Sequence, residues 1–490
     1  MRPTTRLTSA AALLVMAAMA PVASAAQLPM CDGTGYDSSN PTHVLYGEGT
    51  PVDAATGLMQ LDLGDAGRGR IVFWDGTFPD YQPPRGATTQ AVGVRIVGTD
   101  AADAICGTAG DDLIYGKRGD DRIFGGGSAT PFYSGGGVGG DRLFGNQGRD
   151  VVIAADPDEP ASAGGAWCGG GEGDDTLYVG DSPGSTGMGG RGGDLLVAGT
   201  GFSQALRGGA GDDTLLGGAG DHQRLDGNGG GDVLVAGDGV GQLLNGNRGS
   251  DELTAGTGDG QQLFGGRAAD VLTAGSGSDQ LLFGDRGRDL LIAGSGSGQT
   301  LVGGRGADAF VGGDGAGQAL YGGKGNDIIN AGIGSDQSLH GDNGIDTITV
   351  GLGPGQAAYG GAGADTISAE PEAAVVMGDE GGDRIAGGPG DDTLDGGPDN
   401  DALYGGGGAD SISGGVGSDT LFGDQPVVGA GIDLSDWATD TLSGDDGDDT
   451  MYGSCDAYAF DVADGGTGDA DLSFHTSGNA GVELILVPCG

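Results

Sequence analysis

The chain has 490 residues, of which 115 are glycine and only 5% are aromatic; a typical glycine share is about 7%. Acidic residues outnumber basic ones 70 to 21, for a net charge of −49. This composition excludes ordinary domains with large cores, and a surface of this sign repels nucleic acid and anionic membranes while attracting cations.

Residues 1–25, MRPTTRLTSAAALLVMAAMAPVASA, read as a cleaved secretory signal. Arg2 and Arg6 form the basic end, Ala10 to Ala20 the apolar stretch, and Ala23-Ser24-Ala25 the small-residue cleavage site. Roughly fifteen apolar residues are too few to span a bilayer comfortably. No later segment is apolar enough either, so the expectation is an exported protein with no membrane span. Residues 26–97 lack the repeat that follows. GRIVFW and VGVRIVG read as short strands of a β-rich N-terminal cap, since an open β edge invites aggregation.

A repeat occupies 98–453. At first the step is nine: Asp103, Asp112 and Asp121, then Asp141 and Asp150. A central block, 170–368, steps by nineteen. Its column is Asp175, Asp194, Asp213, Asp232, Asp251, Asp270, Asp289, Asp308, Asp327, Asp346 and Asp365. The step of nine then returns with Asp383, Asp392, Asp401, Asp410 and Asp419, and Asp440 and Asp449 close the series. Two residues after each Asp stands an apolar side chain, such as Leu234, Leu291 or Phe310. The central block carries a second column, from Gln204, Gln223 and Gln242 to Gln337 and Gln356, again with leucine two residues on in most units. Nineteen is therefore nine plus ten, two half-turns of which one is longer. A glycine-rich hexamer followed by three residues with the middle one apolar predicts turn, three-residue strand, turn, three-residue strand. At constant period this is a solenoid, with identical positions stacked about 4.8 Å apart.

That stacking brings carboxylates close together. At an effective dielectric near 20, each neighbouring pair costs roughly 3 kcal/mol. A hard cation with oxygen ligands relieves this, and calcium accepts six to eight oxygens from carboxylates and carbonyls. Magnesium demands a stricter octahedron, and zinc wants the Cys or His that the repeats almost lack. Calcium binding and folding are then one event.

Insertions interrupt the repeat near 127–136, 154–167, 369–377 and 424–438. Trp74, Trp167 and Trp437 fall in caps or insertions, and core roles are expected for them. Residues 454–490 read as the C-terminal cap. Export permits disulfides: Cys455 with Cys489 and Cys31 with Cys106 is the favoured pairing among fifteen, leaving Cys168 odd. GDSPG at 180–184 matches the G-x-S-x-G nucleophile pattern, but that pattern needs a strand–turn–helix elbow and a His partner. His43, His222, His340 and His475 are scattered.

The units resemble the hemolysin-type, or RTX, nonapeptide repeat, Gly-Gly-x-Gly-x-Asp-x-U-x, where U is a large apolar residue. Residues 208–216, GGAGDDTLL, and 414–422, GGVGSDTLF, fit every position. The resemblance implies an all-β, calcium-dependent parallel β-roll. It makes the position-six Asp of each unit the carboxylate ligand for multiple Ca2+ ions, joined by the position-one and position-three carbonyls. In the central block Gln replaces the charge on one edge, where stacked amides can bond along the column. Calcium is therefore expected along one edge centrally and along both edges in the nine-residue blocks. Asp279 and Asp336, just before the Gln column, are candidates for isolated further metal contacts. Arg248, Arg267, Arg286, Arg305 and Lys324 recur at the third turn position. They are read as balancing the excess Asp, with a stripe for an anionic ligand such as polysaccharide as the other reading.

The leading expectation is a secreted calcium-binding module, structural or adhesive, at the cell surface or outside the cell, with calcium and a glycan or protein as partners and no catalytic site. The alternatives are a polysaccharide- or ester-acting hydrolase with its site in the insertions, a hemolysin-like toxin fragment, and an ice-binding or surface-layer array. The toxin reading sits poorly with a cleaved N-terminal signal. The ice-binding reading lacks a flat outward Thr or Asn column.

Overall fold

A computed structural model describes residues 113–119, 121–124, 141–154, 165–369, 373–424 and 439–452. It also describes short segments at 43–45, 59–62, 71–73, 94–98, 104–106, 462–466, 472–474 and 483–484. The chain divides into two compact units, residues 1–262 and 263–490. Every strand described is β, and the pairings in each unit are parallel. Residues 1–25, read above as a signal, and Cys31, Cys455 and Cys489 lie outside the described residues. Cys168 is a free, buried thiol, and burial pushes its pKa up. No helix among the described residues is long and apolar enough to cross a membrane.

Each unit is a parallel β-solenoid with two strands per coil. In the first, Thr214–Leu216 pairs with Leu195–Val197 on one side and Val233–Val235 on the other. Ala205–Ala210 pairs likewise with Thr186–Arg191 and Arg224–Gly229. In the second unit Thr300–Arg305 lies between Leu281–Arg286 and Ala319–Lys324, always nineteen residues apart. Further on the register becomes eighteen, as in Thr393 on Ser411. Insertions leave the ladder intact. Ser411 pairs with Thr441, thirty residues on instead of eighteen, so the register absorbs the added length.

The strands depart from the expected uniform three residues. In the central block three-residue strands alternate with six-residue strands such as Thr300–Arg305. The physical reason lies in the pleat. Successive residues alternate faces, so after Leu301 the next inward position is Gly303, and both are buried. What reads as the glycine-rich start of a turn is still paired strand. Gly304, with φ +102°, is still paired and bends the strand toward the turn that follows Arg305. At the equivalent positions Asp285 and Asp342 adopt φ +69° and +67°, a region Asp tolerates better than most side chains. Trp167 also departs from expectation. It starts the repeat strand Trp167–Glu172, pairs with Arg142 and Thr186, and sets its ring 4.7 Å from Phe144 on the outer face.

The core is two single-file columns, one per strand. In the first unit Leu177, Leu196, Leu215 and Leu234 form one, and Leu206, Leu225 and Leu244 the other, all fully buried. In the second, Leu291, Phe310 and Ile329 face Leu282, Leu301 and Leu320. Because each coil holds so few apolar groups, each one matters. Leu291→Ala is expected to cost about 3 kcal/mol from lost transfer energy and a residual cavity, read by chemical denaturation of the calcium-loaded protein.

Candidate metal centre

The position-six Asp side chains turn inward. Asp213 is 1% exposed, and the other described Asp residues of the columns are also buried. Their stacking follows one rule. The backbone N–H of each Asp donates to Oδ1 of the Asp one coil later. In the first unit the run is Asp121 to Asp150 and Asp150 to Asp175 at 2.7 Å, then to Asp194, Asp213, Asp232 and Asp251 at 2.8–2.9 Å. In the second it passes from Asp270 through Asp289, Asp308, Asp327, Asp346, Asp365, Asp383, Asp401 and Asp419 to Asp449, at 2.7–2.9 Å. A parallel run on the opposite edge links Asp392 to Asp410 and Asp410 to Asp440. Asp141 holds that opposite edge in the first unit, its carbonyl accepting the Trp167 N–H. Asp103 and Asp112 lie outside the described residues.

The second carboxylate oxygen differs. Oδ2 is buried without a hydrogen-bond partner in Asp175, Asp194, Asp213 and Asp232, and in Asp289, Asp308, Asp327, Asp346, Asp365, Asp383, Asp392, Asp401 and Asp419. It lies over the position-one glycine of its own unit. A methyl group on Gly303 would strike both Oδ2 of Asp308 and the carbonyl oxygen of Gly322, one coil on. Gly189 is bounded in the same way by Asp194 and Gly208, and Gly396 by Asp401 and Gly414. A cradle where only glycine fits thus gathers an orphaned carboxylate oxygen and a backbone carbonyl. Among the described residues no three Asp, Glu, His or Cys side chains converge, and the second protein oxygen at each cradle is a backbone carbonyl. This donor set, all oxygen and partly anionic, suits calcium.

Burial also shifts the ionisation of these groups. It pushes Asp175, Asp213, Asp289, Asp346, Asp383 and Asp401 up to about 7, and Asp194, Asp232, Asp327 and Asp392 up to about 6. The N–H donated to Oδ1 opposes the rise without cancelling it, and in most of these groups neighbouring Asp charges add to it.

The Gln column solves the same problem without an ion. In the second unit Oε1 of Gln299 accepts the N–H of Gly294 at 2.8 Å. Its Nε2 donates to the carbonyls of Gly275 at 2.9 Å and Gly277 at 3.1 Å, and to Oε1 of Gln280 at 3.2 Å. Gln223 repeats the pattern in the first unit with Gly218, Gly199, Gly201 and Gln204. Gly275, Gly277 and Gln280 are positions one, three and six of the preceding coil. The amide nitrogen therefore sits on the very oxygens that the repeat pattern assigns to a cation. The amide-to-amide bonds were legible in the sequence; the bonds to carbonyls were not. Asp279 and Asp336 are exposed. They occupy the left-handed turn position held by glycine at 298 and 317, with φ +55° and +57°.

Ser182 of the GDSPG stretch is buried on a turn between two strands. Its carbonyl accepts from Nε2 of Gln204 and Oγ of Ser185. The setting is strand–turn–strand, where a nucleophile elbow requires strand–turn–helix.

Parallel coils closed by glycine-rich turns over an inward carboxylate define a repeat-built β-roll of the calcium-binding type. The family described as RTX calcium-binding nonapeptide repeat matches residues 97–129, 135–156, 188–221, 257–284, 264–300, 319–338, 358–371, 377–412, 395–425 and 436–454. The chain belongs to that family, and its repeats are calcium-binding repeats. A comparison with curated proteins finds no match.

Proposed function

We propose that the protein is an exported module that folds by taking up several calcium ions along its Asp columns and then serves as a structural or adhesive element outside the cell. The observation that carries this reading is the run of buried Oδ2 atoms, from Asp175 to Asp232 and from Asp289 to Asp419 on the Asp edge, each over a glycine cradle and without a hydrogen-bond partner in these residues. When bound, calcium supplies the positive charge and oxygen-binding capacity that the chain lacks there. Asp289, Asp308 and their equivalents hold it, with position-one carbonyls such as Gly322. The chain's own part is to bury the carboxylate, orient Oδ1 through the preceding N–H and clear the cradle of side chains. Centrally only one edge carries the buried position-six Asp. In the terminal nine-residue repeats Asp392, Asp410 and Asp440 charge the other edge too. The N-terminal Arg-apolar-Ala pattern supports export, and millimolar calcium outside the cell would favour folding there.

Two variants test this. Asp289→Asn keeps an acceptor for the Asp270 N–H but replaces the orphan oxygen by an amide. It is expected to lower the calcium stoichiometry measured by calorimetry and to move calcium-induced strand formation to higher calcium. Gln299→Ala removes two bonds accepted by its Oε1 and the two amide hydrogens that Nε2 shares among three acceptors. It is expected to cost about 3 kcal/mol with the stoichiometry unchanged. Equal loss of ions in both variants contradicts the one-edge assignment.

A further inference from the structure

The cations of the second unit form a row that ion pairing does not account for, although the Arg286 charge favours ionisation of the neighbouring Asp285. Arg286 is in register with Arg305, and Arg305 with Lys324. Arg267 holds the same place in the coil whose Phe264 stacks on Phe283. All four are exposed. If they served to neutralise the abundant carboxylates, ion pairs should be present. Among the described residues such pairs form elsewhere, at Arg149–Asp174, Arg191–Glu172 and Arg224–Asp226, and none is made by Arg267, Arg286, Arg305 or Lys324. Like charges at strand spacing of about 4.8 Å oppose stacking, yet the row persists coil after coil.

A second row runs beside it on the same sheet. Beside the cations it reads Phe264 stacked on Phe283, then Val302, then Tyr321, whose ring continues onto His340 and Tyr359 at 4.6 and 4.7 Å in the next two coils, where Asn343 and Ala362 take the cation's place. These rings are within 12° of parallel, so their faces cover one another and only edges are free. They form an apolar wall and not a set of sugar-stacking platforms. Between the rows stand Gly266, Gly304 and Gly323, with Asp285 the exception. The result is a strip of floor that is glycine except at the exposed Asp285, between an apolar wall of Phe264, Phe283, Val302 and Tyr321 and a row of cations spaced a strand apart.

We propose that this strip binds a linear polyuronate, lying along the stack of coils with its carboxylates on the cation row. Such a polymer carries one negative charge per sugar on an extended chain, matching one cation per coil, and its chair-shaped rings can approach closely where the floor is glycine, at Gly266, Gly304 and Gly323. The proposal rests on the calcium reading, because the ionised Asp column would repel any polyanion until its charge is compensated.

The test is calorimetric titration of the calcium-loaded full chain with a short oligogalacturonide at low salt. Binding is expected, weakening as sodium chloride is raised, and falling at least tenfold in the variant R267Q/R286Q/R305Q/K324Q. Circular dichroism of both proteins during calcium addition reads folding separately, so failure of the calcium reading shows as absent strand formation in the parent protein. If the fourfold variant does not fold, R286Q/R305Q carries the test, with a smaller loss expected. Absence of binding to the folded parent overturns the proposal. So does equal binding by the folded variant, which would mean bridging by calcium alone, and so does tighter binding of single-stranded DNA than of the oligogalacturonide.

Discussion

Removing calcium with a chelator at about pH 7.5 and low ionic strength is expected to abolish most of the strand signal and to expand the molecule. Strand spacing sets the size of the effect. Ionised carboxylates one coil apart repel by about 3 kcal/mol at an effective dielectric near 20. The second unit stacks ten of them from Asp270 to Asp449. Two or three uncompensated gaps already match the 5–15 kcal/mol that typically holds a whole domain together. A core of one apolar side chain per strand has little with which to oppose this. The N–H donated to each Oδ1 helps orient the carboxylate but adds no net positive charge. Circular dichroism and small-angle scattering before and after chelation check the expectation. Retention of a compact, fully β-structured chain under these conditions counts against calcium as the element that joins the coils. High salt should soften the transition, because screening acts on the same repulsion.

The Asp and Gln columns were readable from the sequence because a solenoid repeats its register, so a fixed step along the chain is a fixed place in the fold. The parallel β-roll and its apolar columns follow from the same period. The strand lengths did not follow, since glycine carries no marker of which way it faces. Gly303 reads as a turn residue, but it is an inward strand position kept empty for the Asp308 carboxylate. The edges of the Gln column were also hidden. Stepping back nineteen from Gln204 reaches Ser185 and then Ala166, where Ser185 Oγ accepts the Ala166 N–H at 3.1 Å and donates to the Ser182 carbonyl at 2.9 Å. A short hydroxyl performs part of the glutamine's role there. At the other end Gln356 is in register with Ala374, whose N–H donates to Oδ1 of Asp392. The amide column and the second Asp column are thus one column with a change of chemistry, which the switch from nineteen to eighteen residues conceals.

Protons should replace calcium in part, and acidifying the calcium-free protein from about pH 8 to about pH 5 is expected to restore strand structure. In the folded chain burial, helped in most cases by neighbouring Asp charges, raises Asp289, Asp346, Asp383 and Asp401 to about 7, and Asp327 and Asp392 to about 6. An unfolded Asp titrates near 3.9. Between these limits the folded state binds more protons than the unfolded state, so its stability rises as pH falls through the folded values and is lost as pH rises through them. Below about pH 4 the unfolded chain is protonated as well and the gain levels off. Exposed carboxylates titrate near 4, so a transition centred between pH 6 and 7 belongs to the buried columns and not to relief of the general surface charge. With calcium present the dependence reverses, since the ion requires the carboxylate ionised and protons compete for it; the calcium midpoint should move to higher concentration on acidification. Asp289→Asn, with one titrating group fewer, should shallow the calcium-free pH transition. A calcium-free protein equally unstructured from pH 8 to pH 5 would show that the columns are not what holds the chain open.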